Sequence, residues 1–348
     1  MAPQTQKALL LSEKFGKFVV GDTGVYKAGP GEVLVKVKSV ALNPVDWKVQ
    51  KYGAFIENYP AILGCDIAGD VEEIGEGVEG FKKGDRVLSQ NATFQNKYGG
   101  FQQYVITLGA ALGKIPDSFS YDEAATIPLG LSTAYTGMYN PGPHGLGLAP
   151  PTSPETQGKY IGEPFVVLGG SSSVGQMVIQ LAKISGFSPI ITTASLHNTA
   201  ELKQLGATHV LDRKLSVEDL SAQVNDILGG RPLKQVYDSI SLPDTQKTGL
   251  ALLAPGGQLE LVLPASVTTP EDKVVNTIVA VLSFPHNLEI LGPLYRKLIT
   301  GWIENGAIKP NRVEVLPNGL EGIVGGLKKL EEDAVSRAKL VAHPQDTI

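Results

Sequence analysis

A single cysteine, Cys65, is all the thiol chemistry the 348 residues hold. No intramolecular disulfide is possible, and no multi-cysteine zinc lobe can be built. Positive charge is also scarce in any concentrated form: 30 Lys+Arg stand against 35 Asp+Glu, a formal net charge of −5. No basic run is present to neutralise a phosphate backbone, so nucleic acid is not expected as a partner. No apolar stretch approaches the roughly 18 residues of a membrane span. The start of the chain offers only Ala8 to Leu11 between polar neighbours, without the pattern of an export signal. These absences predict a soluble, cytoplasmic protein with no membrane partner. What the chain does have is length, enough for a sizeable core and about two domains.

The first third reads as strands. Glu32 to Val40 alternates apolar and polar residues at period two, the pattern of a half-buried antiparallel strand. Glycine-rich turns punctuate Gly64 to Gly69 and Gly75 to Gly84, so a compact β-barrel-like lobe is expected. Tyr121 to Ala134 then has the character of a segment crossing from one lobe into a helix of the next. Pro141 to Pro164 is rich in proline and glycine without periodicity, and predicts a surface loop that is either a tolerated insertion or a lid or docking element.

From Phe165 the order becomes strand, helix, strand. Phe165 to Leu168 is wholly apolar, as a parallel strand buried on both faces requires. Val174 to Ile184 places Val174, Val178, Leu181 and Ala182 on one side of a helix. Further strands are expected at Ser188 to Thr193, Thr208 to Leu211, Val236-Tyr237 and Leu259 to Leu263, with a helix at Asn198 to Leu205. The fold class is therefore α/β, with a doubly wound parallel sheet. The tail should add a helix at Leu291 to Glu304, a strand at Arg312 to Leu316 and a helix at Leu320 to Glu331, packed back on the first lobe. The boundaries predicted are 1–125, 126–285 and 286–348.

The turn after Leu168 is Gly169-Gly170-Ser171-Ser172-Ser173-Val174-Gly175. A dinucleotide site needs small residues here, because the backbone turns sharply and offers N–H groups at a helix N-terminus to the pyrophosphate. Gly170 and Gly175 fit the outer glycines of the fingerprint, and Ser172 replaces the central one. About 20 residues on, where an acidic residue would hold the ribose hydroxyls of NAD, Thr192 to Asn198 contains no Asp or Glu. Ser195, His197 and Asn198 can donate hydrogen bonds to a 2′-phosphate, and Arg213 can add charge, so NADPH is the expected cofactor. Arg213 also reads equally well as a surface arginine without a ligand.

Taken with Asn43-Pro44-Val45-Asp46-Trp47-Lys48, Gly64-Cys65-Asp66, Gly84-Asp85-Arg86-Val87, Leu205-Gly206-Ala207 and Ala254-Pro255-Gly256-Gly257, that turn makes the sequence resemble the medium-chain dehydrogenase/reductase superfamily over nearly its whole length. The resemblance is nearest to the quinone oxidoreductase branch and to fungal trans-acting enoyl reductases. It implies a GroES-like catalytic domain and a Rossmann cofactor domain. It also implies cofactor contacts from Val45, Asp46, Trp47 and Lys48, from Ser171, Ser172, Ser173 and Val174, from Val262 and Leu263, and from Ser336, Arg337 and Ala338 in a tail reaching Lys339. In zinc alcohol dehydrogenases of this superfamily a cysteine stands at the place of Asn43, and Gly-His-Glu at the place of Gly64-Cys65-Asp66. No metal is expected, and Cys65 reads as a small buried hydrophobe.

Without a metal, donors must polarise the substrate oxygen. Lys48 is the first candidate for polarising group or proton source, with Tyr52 and Thr133 behind it. Lys48 reads equally well as a residue that only holds the cofactor, and Tyr52 and Thr133 as residues that only pack or touch the ribose. The implied activity is NADPH-dependent reduction of an activated C=C bond in an unsaturated carbonyl compound, free or on an acyl carrier domain. The alternatives are a quinone or carbonyl reductase of the same fold, a zinc alcohol dehydrogenase, and a docking subunit of a polyketide synthase. A monomer and a homodimer are both compatible with the resemblance.

Overall fold

The computed structural model describes residues 2–348. The chain divides into two compact units, one made of residues 1–129, 281–306 and 310–348, the other of residues 130–280 and 307–309.

The first unit is built on strands β1 (Thr5–Leu11), β2 (Phe18–Gly24) and β3 (Glu32–Ala41), helix α1 (Pro44–Tyr52), and strands β4 (Ala61–Ile62), β5 (Asp66–Ile74), β6 (Arg86–Gln90), β7 (Tyr104–Leu108) and β8 (Gly113–Lys114). Helix α2 (Tyr121–Ala125) follows, and helix α3 (Pro128–Tyr139) leaves this unit after its second residue. β3 is the hub, antiparallel to both β5 and β7. Its alternation predicts one wet face, yet only Lys36 and Lys38 are more than marginally exposed. Being flanked and covered on both sides removes the solvent face that alternation usually signals. The core gathers valines, leucines and isoleucines from β1, β3 and β5, each contributing about 1.5–3 kcal/mol on burial.

The second unit alternates strictly: β9 (Phe165–Leu168), α4 (Ser173–Ser185), β10 (Ile190–Ala194), α5 (Thr199–Leu205), β11 (His209–Asp212), α6 (Val217–Leu228), β12 (Gln235–Asp238), α7 (Pro243–Leu252), β13 (Gln258–Leu261) and β14 (Val274–Thr277). All six strands are parallel in the order β11-β10-β9-β12-β13-β14, the doubly wound arrangement that turns direction beside the first strand. α4 begins at Ser172, whose Oγ accepts the Gly175 N–H, and ends at the left-handed Gly186 (φ 92°). Its buried surface is wider than one side: Gly175 to Ala182 are all buried, and Val174, expected on the inner face, is only partly so. Three elements lie outside the sequence expectations, one of them α7, which opens on Pro243. α6 carries Leu220, Val224 and Leu228 to the core behind a Ser216 cap, and β14 closes the sheet edge.

The last stretch returns to the first unit as α8 (Pro285–Pro293), a π turn at Leu294–Leu298, α9 (Ile299–Glu304), β15 (Arg312–Val315), α10 (Gly319–Glu331) and β16 (Ala338–Ala342). The helix expected from Leu291 thus starts six residues earlier and changes pitch after Pro293, which lacks the N–H a helix interior needs. Tyr121 to Ala134 is likewise broken into two helices before Pro128. β16 pairs antiparallel with β3, Val341 opposite Ala41, and parallel with β15. Residues 141–164 form turns without helix or strand. Leu146 and Leu148 are nevertheless buried, and Tyr160 stacks on Phe187 at 4.7 Å, so the segment is only partly a surface loop.

Candidate active site

In the first unit, pairing register decides which polar groups meet. Val341 lies opposite Ala41, and the Leu42 N–H donates to the Leu340 carbonyl at 2.9 Å. One step further along the antiparallel pair, Lys339 faces Asn43. On the other side of β3, Ala41 pairs with Asp66. Three polar side chains from distant parts of the chain are therefore delivered to one buried point. The Lys339 ammonium donates to Asn43 Oδ1 at 2.6 Å and lies 2.9 Å from Asp66 Oδ2. Asn43 Nδ2 donates to the same Asp66 oxygen at 2.9 Å. Asp66 Oδ1 accepts the Leu129 N–H at 2.6 Å, at the start of α3. The side chains of Lys339 and Asp66 are 3% and 0% exposed, so no bulk water shares the charge.

Asn43 also opens α1. Its extended backbone (φ −130°, ψ 155°) precedes Pro44, and Asp46 turns back to accept the Asn43 N–H at 2.8 Å, the reciprocal arrangement of a capping box. The other oxygen of Asp46 accepts the Gly64 N–H at 3.2 Å. Burial pushes the Asp46 carboxyl up to about 7, with the Asn43 N–H pulling it back and the charge of Asp66 adding to the rise. Burial likewise pushes the Cys65 thiol up, and Asp46 and Asp66 push in the same direction, so this cysteine is a protonated core residue.

This donor set does not suit a zinc ion. Zinc wants thiolate, imidazole or carboxylate ligands; at the two matching positions stand an amide and a buried thiol held in its neutral form. A fixed ammonium lies against that amide and the adjoining carboxylate. Among the described residues no group of three His, Cys, Asp or Glu side chains is arranged to hold a metal.

Among the expected site residues of this unit, Lys48 is half-buried on α1 with its ammonium 5.6 Å from the centre of the Trp47 ring. Burial lowers its affinity for the proton, while the ring face favours the cation; desolvation is the stronger influence. Val45 is half-buried, and the Trp47 indole N–H is buried without a partner. Asp46 is 1% exposed and engaged within the fold, which leaves it little to offer a cofactor directly. Tyr52, at the end of α1, is exposed. Ser336 and Arg337 lead into β16, which Ala338 opens, with Arg337 at a positive φ of 48°. Lys339, the next residue, is legible in the sequence only as the end of a cofactor-contacting tail.

In the second unit the turn after β9 is shaped by close approach. A Cβ on Gly170 would lie 2.1 Å from Thr192 Oγ1, and one on Gly175 would lie 2.4 Å from the Gly169 carbonyl. Gly169 itself has φ +80°, a conformation that favours glycine. Ser172, the departure from the fingerprint, caps α4 and hydrogen-bonds Ser239 Oγ at 3.0 Å. Ser171, Ser173 and Val174 complete the turn, half-buried. At the end of β10, Ser195 is half-buried, His197 exposed and Asn198 buried, its Nδ2 lacking a partner. Arg213 is exposed and donates its backbone N–H to the Ala194 carbonyl at 3.0 Å. Val262 and Leu263 are half-buried just past β13, and Ser241 Oγ donates no further than its own loop while accepting the Val262 N–H at 2.8 Å. Thr133 is buried, and its carbonyl accepts the Tyr237 hydroxyl at 2.9 Å.

The model of the alcohol dehydrogenase GroES-like domain matches residues 29–117, and that of the zinc-binding dehydrogenase matches residues 173–295. The chain is 33% identical to the dehydrogenase orsE of Emericella nidulans, over 97% of this chain and 99% of that one. It is 35% identical to the trans-enoyl reductase himH of Aspergillus japonicus, over 89% of each. An alcohol dehydrogenase superfamily protein from Novosphingobium aromaticivorans superposes with a TM-score of 0.80 at 22% identity, over 97% of this chain and 98% of that one.

Proposed function

The chain belongs to the medium-chain dehydrogenase/reductase superfamily, in its enoyl reductase-like branch, and from that premise we propose that it is an NADPH-dependent, zinc-independent reductase of activated C=C bonds. The observation that carries this reading is the Asn43–Lys339–Asp66 cluster. Where zinc dehydrogenases of the family keep ligands, this protein buries an ammonium hydrogen-bonded to an amide and paired with a carboxylate. Charge developing on a substrate oxygen must then be met by hydrogen-bond donors.

The glycine turn and the N-terminus of α4 would hold the pyrophosphate of the cofactor, and Ser195, His197, Asn198 and Arg213 its 2′-phosphate. A reduced nicotinamide held there would supply hydride to the β-carbon of the substrate. Lys48 donates from its Nζ to the carbonyl oxygen as negative charge moves there. Burial lowers its hold on the proton, which makes it a better donor than a surface lysine near neutral pH. The α-carbon takes one proton, from Lys48 directly or through water, so the substrate gains H⁻ and H⁺ in total. Tyr52 and Thr133 remain the secondary candidates for this donor. The trans-enoyl reductase relative makes a carrier-bound or free unsaturated acyl compound the favoured substrate class.

A panel decides among the substrates. NADPH and NADH are each offered with enones, enoyl thioesters, quinones and aldehydes, and product stereochemistry is followed by mass and NMR. Preferential NADPH oxidation with enoyl thioesters or enones supports the reading. Turnover of quinones or aldehydes alone overturns it in favour of the other reductases of this fold.

A further inference from the structure

We propose that Lys339 is a positioning residue, whose buried ammonium fixes the first turns of the two helices that carry Lys48 and Thr133; the inference rests on the reductase reading above. The bonds that radiate from Nζ make the case. Through Asn43 Oδ1, 2.6 Å away, the ammonium holds the residue that opens α1. Asn43 is fixed on its other sides by Asp66 Oδ2 at 2.9 Å and, through its backbone N–H, by Asp46 at 2.8 Å. Lys48 lies two residues beyond Asp46 on the same helix, which starts at Pro44.

Through Asp66, 2.9 Å away, the same ammonium holds the start of α3. Asp66 Oδ1 accepts the Leu129 N–H at 2.6 Å, and that N–H belongs to the first turn of the helix, where no carbonyl of the helix itself is available to it. Thr133 follows one turn along. One buried cation thus secures both helix starts, and each of its two partners is engaged elsewhere by a second bond.

Packing alone gives little reason for such an arrangement. Replacing a buried ion pair with apolar groups of similar volume is often neutral or stabilising, whereas directional bonds specify one geometry. The ammonium also opposes a divalent ion at this locus: a fixed positive charge already occupies the amide and carboxylate oxygens a cation would approach. Taking the ammonium away leaves the Asp66 carboxylate buried without its counter-charge, so that protonation or water entry must relax it, and the Leu129 and Asn43 contacts loosen with it.

The test uses the full chain, as Lys339→Met and as the double variant Asp66→Asn/Lys339→Met, which removes both charges and so avoids stranding one of them. The readouts are thermal unfolding, NADPH affinity by fluorescence, steady-state kinetics with the best enone, and residue-resolved amide exchange. The expected result for the double variant is a cooperative fold, NADPH affinity within about threefold of wild type, and kcat lower by roughly 10- to 100-fold with KM little changed, as small misplacements of reacting groups produce. Amide exchange should accelerate at Leu129 and in the first turn of α1, and not in β9 to β14. A double variant with wild-type kcat and unchanged exchange at Leu129 overturns the proposal and leaves the ion pair a packing feature. If Lys339→Met alone fails to fold, the double variant carries the decision. If the wild-type protein turns over no enone with NADPH, the functional reading fails; the exchange pattern still decides whether the ammonium sets the two helix starts.

Discussion

Asp212 lies beside Ala194 in the parallel register of β10 and β11, and its Oδ1 accepts the Lys214 N–H at 3.0 Å. The next residue, Arg213, returns its own N–H to the Ala194 carbonyl, so a carboxylate and a guanidinium leave the chain together at the strand end proposed to meet the adenosine ribose. On the proposed reading, opposed charges there would tune the choice between NADPH and NADH. Arg213→Ser should weaken NADPH binding by roughly 3- to 10-fold and leave NADH nearly unchanged, while Asp212→Asn should tighten NADPH modestly. Fluorescence titration of both cofactors reads the two effects. Equal losses for NADPH and NADH would place Arg213 outside the 2′-phosphate pocket.

The turn after β9 separates capping from close approach. Ser172→Ala removes the acceptor of the Gly175 N–H and should cost about 0.5–2 kcal/mol of stability, as lost helix caps do. Gly175→Ala puts a methyl 2.4 Å from the Gly169 carbonyl, which only a backbone shift can relieve. It should cost more stability than the cap and should abolish measurable cofactor binding. Denaturant unfolding and NADPH titration of the two variants give the order, and a Gly175→Ala variant that binds NADPH normally would contradict it.

Stability should peak in mildly acidic solution. Asp46, pushed up to about 7 by burial, and Glu260, pushed well up by burial with both carboxylate oxygens unpartnered, keep their protons in the fold after the unfolded chain has lost them. Their contribution is complete below about pH 4 and is lost as pH rises through the folded values. Glu32 and Asp85 act in the opposite sense. Their partial burial is outweighed by Lys97 and Tyr98 for the first and by Lys114 for the second, so their contribution disappears as pH falls below about 4. Unfolding by urea across pH 3 to 9 should therefore show a maximum near about pH 5. Glu260→Gln, which removes the charge and keeps the volume, should flatten the decline on the alkaline side. A decline of unchanged slope would show that Glu260 ionises in the fold without penalty.

Local patterns make much of this molecule legible. The apolar run at Phe165 to Leu168 and the glycines after it announce a buried parallel strand entering a dinucleotide-type turn, and the strand and turn are there. α6 carries signals of the same kind, in Ser216, in Leu220, Val224 and Leu228 at intervals of four, and in Gly229. β14 gives no such warning: Val274 to Thr277 is short, and its half-exposed residues belong to a sheet edge. The departures that matter most are non-local. Asn43, Cys65 and Asp66 can be recognised as altered ligand positions from their motifs, but the side chain bonded to Asn43 and Asp66 cannot. Lys339 is 296 residues from Asn43 along the chain, and only the register of β16 against β3 brings it there. Asp212 is non-local in the same way: it ends β11, and only the pairing of β11 with β10 sets it beside Ala194.

The most direct measurement is the initial rate of NADPH oxidation with an α,β-unsaturated thioester, for the wild-type protein before and after dialysis against a strong chelator, beside Lys48→Ala under the same conditions. Donor-based reduction predicts a wild-type rate indifferent to the chelator and a Lys48→Ala rate lower by about 100-fold or more, in the range of lost acid catalysis. A rate that collapses on chelation and returns with zinc, or a Lys48→Ala protein as fast as wild type, would contradict it.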